Sequence, residues 1–144
     1  MKIKVKKLHP NAVIPVYSSE GAACFDLYAA TVDSGVDSYH VVVGTGLAFE
    51  IPSGWMMRIA PRSGLAFLYG VEAFSGVIDS DYRGEVKVLL RYFDRTSHQR
   101  SIVIKPGDRV AQAFICKVPR VSFEEVSDLT ETSRGGNGFG STGV

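Results

Sequence analysis

Cysteine, histidine and net charge are all scarce in this chain. The two cysteines, Cys24 and Cys116, lie far apart and show no metal-type spacing. They fit a reducing cytosol, where a buried thiol is an ordinary core residue. The three histidines, His9, His40 and His98, are scattered, so no local His/Cys spacing marks a zinc site. Sixteen Lys and Arg against fifteen Asp and Glu leave a formal net charge of +1. Such a balance provides no broad field for wrapping duplex nucleic acid. It leaves room for a small anionic ligand, which needs only a local cluster. No apolar run reaches transmembrane length. The basic start, Met1 to Pro10, alternates Lys with Ile and Val and lacks the apolar segment of a signal peptide. These readings point to a cytoplasmic protein, neither secreted nor membrane-held, with a nuclear or host-cytosol location if the source is a virus.

A long helical period is missing too. What replaces it is a series of short strand-like runs with turn signals about every ten residues. Ile3 and Val5 alternate with lysines, giving a strand with one wet face. Phe25 to Ala29 is a short strand with a carboxylate, Asp26, inside it, and a charge there is costly unless exposed, paired or hydrogen-bonded. Tyr39 to Val43 and Leu47 to Ile51 flank Gly44-Thr45-Gly46, the pattern of a hairpin. Trp55 to Ala60, Val86 to Phe93, Ser101 to Ile104 and Arg109 to Val118 complete the expected strands. Leu65 to Tyr69 has room for one or two helical turns. At 144 residues, 45% hydrophobic and 22% charged, the chain suits one soluble domain with a real core. The expected class is all-β, a jelly-roll-like sandwich or barrel. The core is assigned to residues 1–128. The last sixteen residues, Leu129 to Val144, hold five glycines and little core-forming material. They read as a flexible arm.

The chain is organised around Gly76-Val77-Ile78-Asp79-Ser80-Asp81-Tyr82-Arg83-Gly84. Two carboxylates sit one residue apart in a loop between two strand-like flanks. Asp, Ser and Gly are also ordinary turn formers. An EF-hand does not fit, because its sixth-position Gly and twelfth-position Glu are missing. Four other stretches place polar groups at strand ends or loops, where a rigid sheet can position function. Ala22 to Ala29 carries Asp26. Pro61-Arg62-Ser63-Gly64-Leu65-Ala66 offers a guanidinium, a hydroxyl and an approachable backbone, an anion cradle in character. Gly107-Asp108-Arg109-Val110-Ala111-Gln112 adds an amide. The arm adds Arg134 and Phe139. Within it, Gly138-Phe139-Gly140-Ser141-Thr142-Gly143 fits G-x-G-x-x-G, but the dinucleotide fingerprint needs a strand before it and a helix after it. The chain stops one residue later. No P-loop pattern occurs.

In order and content these five stretches resemble the motifs of the homotrimeric dUTPase family, from Ala22 to Gly143. The resemblance implies a β jelly-roll trimer that hydrolyses dUTP to dUMP and pyrophosphate with Mg2+. By that resemblance Asp79 activates the attacking water, and Tyr82 packs under the deoxyribose and leaves no room for a 2′-hydroxyl. A β-hairpin around Ala73 to Asp79, with Val77 and Ile78, forms the uracil slot and reads the base largely through backbone groups. Arg62, Ser63 and Gly64 contact phosphates from a neighbouring subunit. Gln112 lies near the phosphates and metal waters, and Asp26 supports the metal indirectly, through water. Arg134 contacts phosphate, Phe139 stacks over uracil, Gly140 binds substrate beside it, and Ser141 and Thr142 contact the terminal phosphate. Lys87 stands where some members contact substrate. The expected partners are dUTP and two further copies of the chain, with no stable nucleic acid binding and no membrane.

The match has departures. Cys24 replaces a frequent Gly, Tyr28 a frequent basic residue, and Ala73 an Asn found in some bacterial members. Three rival readings remain. A dCTP deaminase relative would need a glutamate at the base slot, and Glu72 is the only nearby candidate. A nucleotide-switched partner-binding protein could use the polar loop Asp94 to Arg100. A structural or capsid jelly roll gives no reason for the arm's motif.

Overall fold

The computed structural model describes residues 1–33, 39–93 and 102–138. Within these, ten strands and one short helix follow in order. The strands are β1 (Lys4–Lys7), β2 (Phe25–Tyr28), β3 (Thr31–Asp33), β4 (His40–Gly44), β5 (Leu47–Glu50) and β6 (Trp55–Ala60). Then come α1 (Ser63–Tyr69), β7 (Val71–Ala73), β8 (Gly76–Ile78), β9 (Lys87–Tyr92) and β10 (Arg109–Lys117). One four-stranded sheet runs β2-β10-β6-β8, a second runs β3-β4-β9-β7, and β1 pairs with β5 as a ribbon. Every pairing is antiparallel. The all-β expectation holds.

Period-two alternation builds the core. Phe25 and Leu27 of β2 point inward while Asp26 and Tyr28 do not, and Val88 and Leu90 do the same on β9. They meet Val43, Met57, Ile59, Val71, Val110 and Ala113 in one cluster. On β10 the alternation breaks where the register against β2 shifts between Arg109 and Ala111. Such a bulge lets Val110 and Ala111 both be buried and re-aims Arg109 at the strand's start.

Helix α1 begins at Ser63, two residues before the expected start. Its N-cap is Arg62, in extended conformation and with no side-chain cap. Arg62 O accepts from the N–H groups of Leu65 and Ala66, both at 3.1 Å, while its guanidinium is engaged elsewhere. Gly70, at φ 61°, ends the helix in the left-handed conformation that glycine adopts without penalty.

Besides the hairpin expected at Gly44-Thr45-Gly46, which does not form because β4 pairs with β3 and β9 while β5 pairs with β1, two expectations require correction. The segment around Ile102 to Ile104 joins no ladder. Ile104 is buried but Val103 is exposed. A turn fastens the chain there instead. Lys105 N–H donates to Asp108 Oδ2 at 2.8 Å, and Gly107 N–H to Ala29 O at 2.8 Å. The alternation of Ile102-Val103-Ile104 thus reflects burial of isolated side chains, and Ser101 lies outside the described residues. Second, Ala73 to Asp79 is no hairpin. β7 pairs with β9 and β8 with β6, so Phe74-Ser75 carries the chain from one sheet to the other. The short strands β3 and β7 went unanticipated because three residues carry too little periodicity.

The last strand ends at Lys117, and residues 119–137 are exposed throughout. At the other end, Lys4 Nζ donates to Glu50 Oε1 at 2.8 Å across β1 and β5. This bond and the lysine's charge hold the Glu50 carboxyl below its usual range. Both groups are exposed, so the pair contributes little.

Thr45 matters more. It is fully buried, its hydroxyl donates to Val86 O at 2.6 Å, and it accepts from Leu47 N–H at 3.2 Å. Thr45→Val strands the buried Leu47 N–H and removes one of two donors to Val86 O. We expect a loss of about 1–3 kcal/mol, read as a lower urea midpoint at unchanged m-value. Thr45→Ser retains the hydroxyl and should lose much less.

Candidate active site

Asp79 follows β8 directly, at the point where the chain leaves the first sheet for the second. The turn after it closes with Tyr82 N–H donating to Asp79 O at 3.3 Å. Arg83 braces that turn from outside, its Nη1 donating to Ser80 O at 2.7 Å and to Tyr82 O at 3.0 Å. The Tyr82 ring lies across Gly84. A Cβ at Gly84 would come within 2.4 Å of the Tyr82 hydroxyl oxygen and 2.6 Å of Cζ. The hydroxyl donates to Glu85 O at 3.1 Å. These residues open onto a cleft of about 560 Å³ lined by Val77, Ile78, Asp79, Tyr82, Glu85 and Lys87. Five of the residues expected from sequence therefore share one concavity, and Glu85 joins them unforeseen. Lys87 Nζ stands 3.9 Å from Glu85 Oε2 and 4.0 Å from Asp33 Oδ2, loose pairs of an exposed lysine.

β8 is the end strand of its sheet, paired with β6 alone. Among the described residues, one side of its backbone has no ladder partner. An unpaired strand edge presents alternating N–H and C=O groups. Val77, half-exposed beside Asp79, stands on it.

A second cluster gathers where β2, β6 and β10 lie side by side. Gln112 is in register with both Asp26 and Ala60. Its Nε2 donates to Pro61 O at 2.8 Å, fixing the turn that leads to Arg62. Arg62 Nε donates to Asp26 Oδ1 at 2.9 Å and its Nη1 to Arg109 O at 3.0 Å. Arg109 Nη1 donates to Asp26 Oδ2 at 3.2 Å. Asp26 thus sits between two guanidiniums. That explains how a strand can hold a largely buried carboxylate. Ser63 and Gly64 form the first turn of α1 beside Arg62, both exposed. Sequence reading treated Arg109 only as the start of a strand. The charge of Asp26 within a strand, which demands a partner unless exposed, is the signal that points to it.

Other expected residues stand apart. Ala73 is buried and borders a smaller hollow of about 200 Å³ with Glu72, Phe74, Ser75, Arg91 and Phe93. Its side chain does not line the Asp79 cleft, for it stands against Leu90, three residues along β9 from Lys87. Glu72 faces Arg91 across β7 and β9 and also borders that hollow, so it is not placed as a deaminase acid at the cleft. Arg134 is exposed, its Nε donating to Asn137 O at 2.8 Å within the tail. Phe139, Gly140, Ser141 and Thr142 lie outside the described residues, as does the loop Asp94 to Arg100.

Comparison with known proteins decides the family. A model of the dUTPase family matches residues 10–143. This chain belongs to the dUTPase family. It is 46% identical over 145 residues to a deoxyuridine 5'-triphosphate nucleotidohydrolase of Nautilia profundicola, covering 99% of each. It is 49% identical over 148 residues to that of Helicobacter hepaticus, covering all of this chain and 90% of the relative. A counterpart from Paramecium bursaria Chlorella virus 1 is 45% identical over 141 residues, covering 97% and 96%. Among solved structures, the dUTPase of Staphylococcus bacteriophage 80alpha with dUPNHPP superposes with a TM-score of 0.87 at 24% identity, covering 99% of each chain. A mutant dUTPase from phage phi11 of S. aureus, described as coordinating a structural Mg(II) ion, gives 0.75 at 20%, covering 89% of this chain and 98% of that one. At those identities the structures establish a shared fold, and the jelly-roll expectation stands with it.

The double pair around Asp26 is testable without assigning any activity. Asp26→Asn and Arg62→Met should each destabilise the protein. In a double-mutant cycle by urea denaturation we expect coupling of about 1 kcal/mol or more. Additive effects would mean that Asp26 and Arg62 do not depend on one another.

Proposed function

We propose that this dUTPase-family chain hydrolyses dUTP to dUMP and pyrophosphate, with water attacking the α-phosphorus. The observation that carries the reading is the single cleft shared by Asp79, Tyr82 and the free edge of β8. In it Asp79 accepts a proton from the attacking water, for which a carboxylate base must lie within hydrogen-bond reach. Tyr82 forms the wall under the sugar. The unpaired backbone at Val77 and Ile78 reads the base, and a base with the opposite donor pattern leaves those groups unsatisfied. Ala73 supports that segment from the core and does not touch the ligand. Lys87, at the cleft's rim, offers a positive charge.

Arg62, Ser63, Gly64 and Gln112 act on the phosphates. A triphosphate is strongly negative, so catalysis is mostly positioning and charge stabilisation. Two of the Arg62 nitrogens are already occupied by Asp26 and Arg109 O. The guanidinium is thereby fixed in orientation, with its remaining donors available. The donor set also fits a magnesium ion that arrives on the triphosphate. Magnesium keeps several waters and binds largely through phosphate oxygens. Among the described residues no three His, Cys, Asp or Glu side chains group as a metal cage. Asp26 and Gln112 would hold the ion through its waters, and when bound it offsets charge on the phosphate oxygens.

Among the described residues, the cleft at Asp79 is not lined by Asp26, Arg62 or Gln112, and this supports a homotrimer with composite sites. So do the apolar side chains left on the surface. Phe123 is 95% and Leu129 86% exposed, and an apolar groove lined by Ile3, Val5, Tyr17, Phe25 and Phe114 lies open beside β1. Apolar surface of this extent marks contact with another chain. Residues 129–144 form the arm. Arg134, Phe139, Gly140, Ser141 and Thr142 close over the bound triphosphate and shut out water.

Incubation with dUTP, dCTP, dTTP and UTP plus magnesium should give rapid dUMP and pyrophosphate from dUTP alone. Asp79→Asn should keep the fold and lose roughly 10²–10⁴ in rate, the usual worth of a positioned general base. Comparable turnover of all four nucleotides would overturn the cleft assignment.

The composite site has its own test. Inactive Asp79→Asn chains and inactive chains ending at Ser133 should regain partial activity when unfolded and reassembled together. Failure to complement, or an active monomer in sedimentation equilibrium, would contradict sharing between subunits.

A further inference from the structure

The Tyr82 wall is only as selective as it is rigid, and the molecule contains a specific device for holding it. The β4–β5 turn, Gly44-Thr45-Gly46, lies against the segment that connects Tyr82 to β9. Thr45 N–H and the Thr45 hydroxyl both reach Val86 O, and Val86 N–H donates to Leu47 O at 2.9 Å. One residue earlier, the Glu85 side chain turns back onto the same turn. Gly46 N–H donates to Glu85 Oε1 at 2.8 Å. Gly44 makes room for that carboxylate. A Cβ there would lie 2.7 Å from Glu85 Oε1 and 2.4 Å from Thr31 Oγ1. Gly46 is equally constrained, with φ at 64° and His9 Cβ 2.8 Å from where its own Cβ would stand. The glycines of this turn are therefore fitted to Glu85 and to the packing around it.

The main-chain carbonyl of the same residue receives the Tyr82 hydroxyl at 3.1 Å. Glu85 thus holds the turn with its side chain and the tyrosine with its backbone. We propose that Glu85 is a positioning residue that sets sugar discrimination by keeping the Tyr82 ring at a fixed height in the cleft, a reading that rests on the proposed dUTP hydrolysis. A side chain that excludes a single hydroxyl by shape works only if it cannot retreat, and supporting bonds supply that rigidity. Without the Gly46–Glu85 bond, the 82–85 segment keeps only the anchor at Val86 and gains room to move away from the turn. The ring can then yield to a 2′-hydroxyl.

The test compares kcat/KM for dUTP and for UTP in wild type, Glu85→Gln, Glu85→Ala and Tyr82→Phe. Glu85→Gln keeps an oxygen that accepts from Gly46 N–H and should hold the dUTP/UTP ratio within about threefold of wild type. Glu85→Ala should lower that ratio about tenfold or more. Its change should fall mainly in the KM values, with UTP improving relative to dUTP. Tyr82→Phe retains the ring but not its bond to Glu85 O and should lower the ratio in the same direction. A merely structural role for Glu85 would weaken both substrates together and leave the ratio unmoved. If Glu85→Ala is too unstable to assay, Glu85→Asp, whose carboxylate is drawn back by one carbon, and Tyr82→Phe carry the comparison. An unchanged ratio in a protein that cleaves dUTP overturns the role of Glu85 alone. A wild-type protein that fails to cleave dUTP overturns the function itself, and this inference with it.

Discussion

Thr45 has no exposed surface, yet its hydroxyl satisfies one backbone acceptor and one backbone donor on two different segments. Those segments are the start of β5 and the approach to β9. Everything between β8 and β9, including Asp79 and Tyr82, hangs from the second attachment. A loop of this kind is exposed and rich in residues that tolerate many conformations. It becomes a site only because its far end is fastened inside the core. The cost of burying a hydroxyl is offset by two hydrogen bonds, and leaving either unmade is expensive in a dry interior. The attachment is consequently all-or-none, which suits a loop that must offer one geometry.

The same logic governs the second cluster, with charge in place of a hydroxyl. Asp26 occupies the non-core face of β2, where an isolated carboxylate would be costly. Two guanidiniums resolve that cost, and Arg62 is thereby held at the entrance to α1. The helix needs no side-chain cap from Arg62, since its backbone carbonyl alone starts the turn. One residue can therefore begin a helix with its main chain and present a fixed cation with its side chain. The resemblance assigns Asp26 to water around a metal. Its pairing adds a second task, because orienting Arg62 requires the carboxylate whether or not a metal is bound.

Much of this was legible in advance. The strand-like runs with polar strand ends led to the all-β class, and the motif order led to Asp79, Tyr82, Val77 and Ile78, which do share a cleft. Local patterns could not say how the strands pair. Ala73 and Asp79 are near in sequence and flank a tight link, which reads as a hairpin. In space the link changes sheets, so Ala73 turns to the core and Asp79 to the cleft. Ile102 to Ile104 failed for a related reason. Alternating apolar residues record which side chains are buried, and a chain fastened by turns can bury them without a ladder. Glu85 was missed because a glutamate at the head of a strand looks like a wet-face residue. Its bond to Gly46 joins positions 39 apart in sequence, and only the tertiary fold brings them together.

The position of the cleft also explains how a small β protein can act on a triphosphate with few catalytic groups. A sheet interior has no spare backbone donors, because each is used in a ladder. The free edge of β8 and the crossings between sheets are where such groups remain. An unpaired strand edge, a carboxylate at the strand's end and an aromatic ring on the returning segment come together because the cleft lies at that edge. An exposed edge is ordinarily a liability, open to pairing with any passing strand. Here β8 is three residues long and runs straight into a braced, charged turn. Too short to template another strand, it still leaves a few backbone groups facing the cleft beside Asp79.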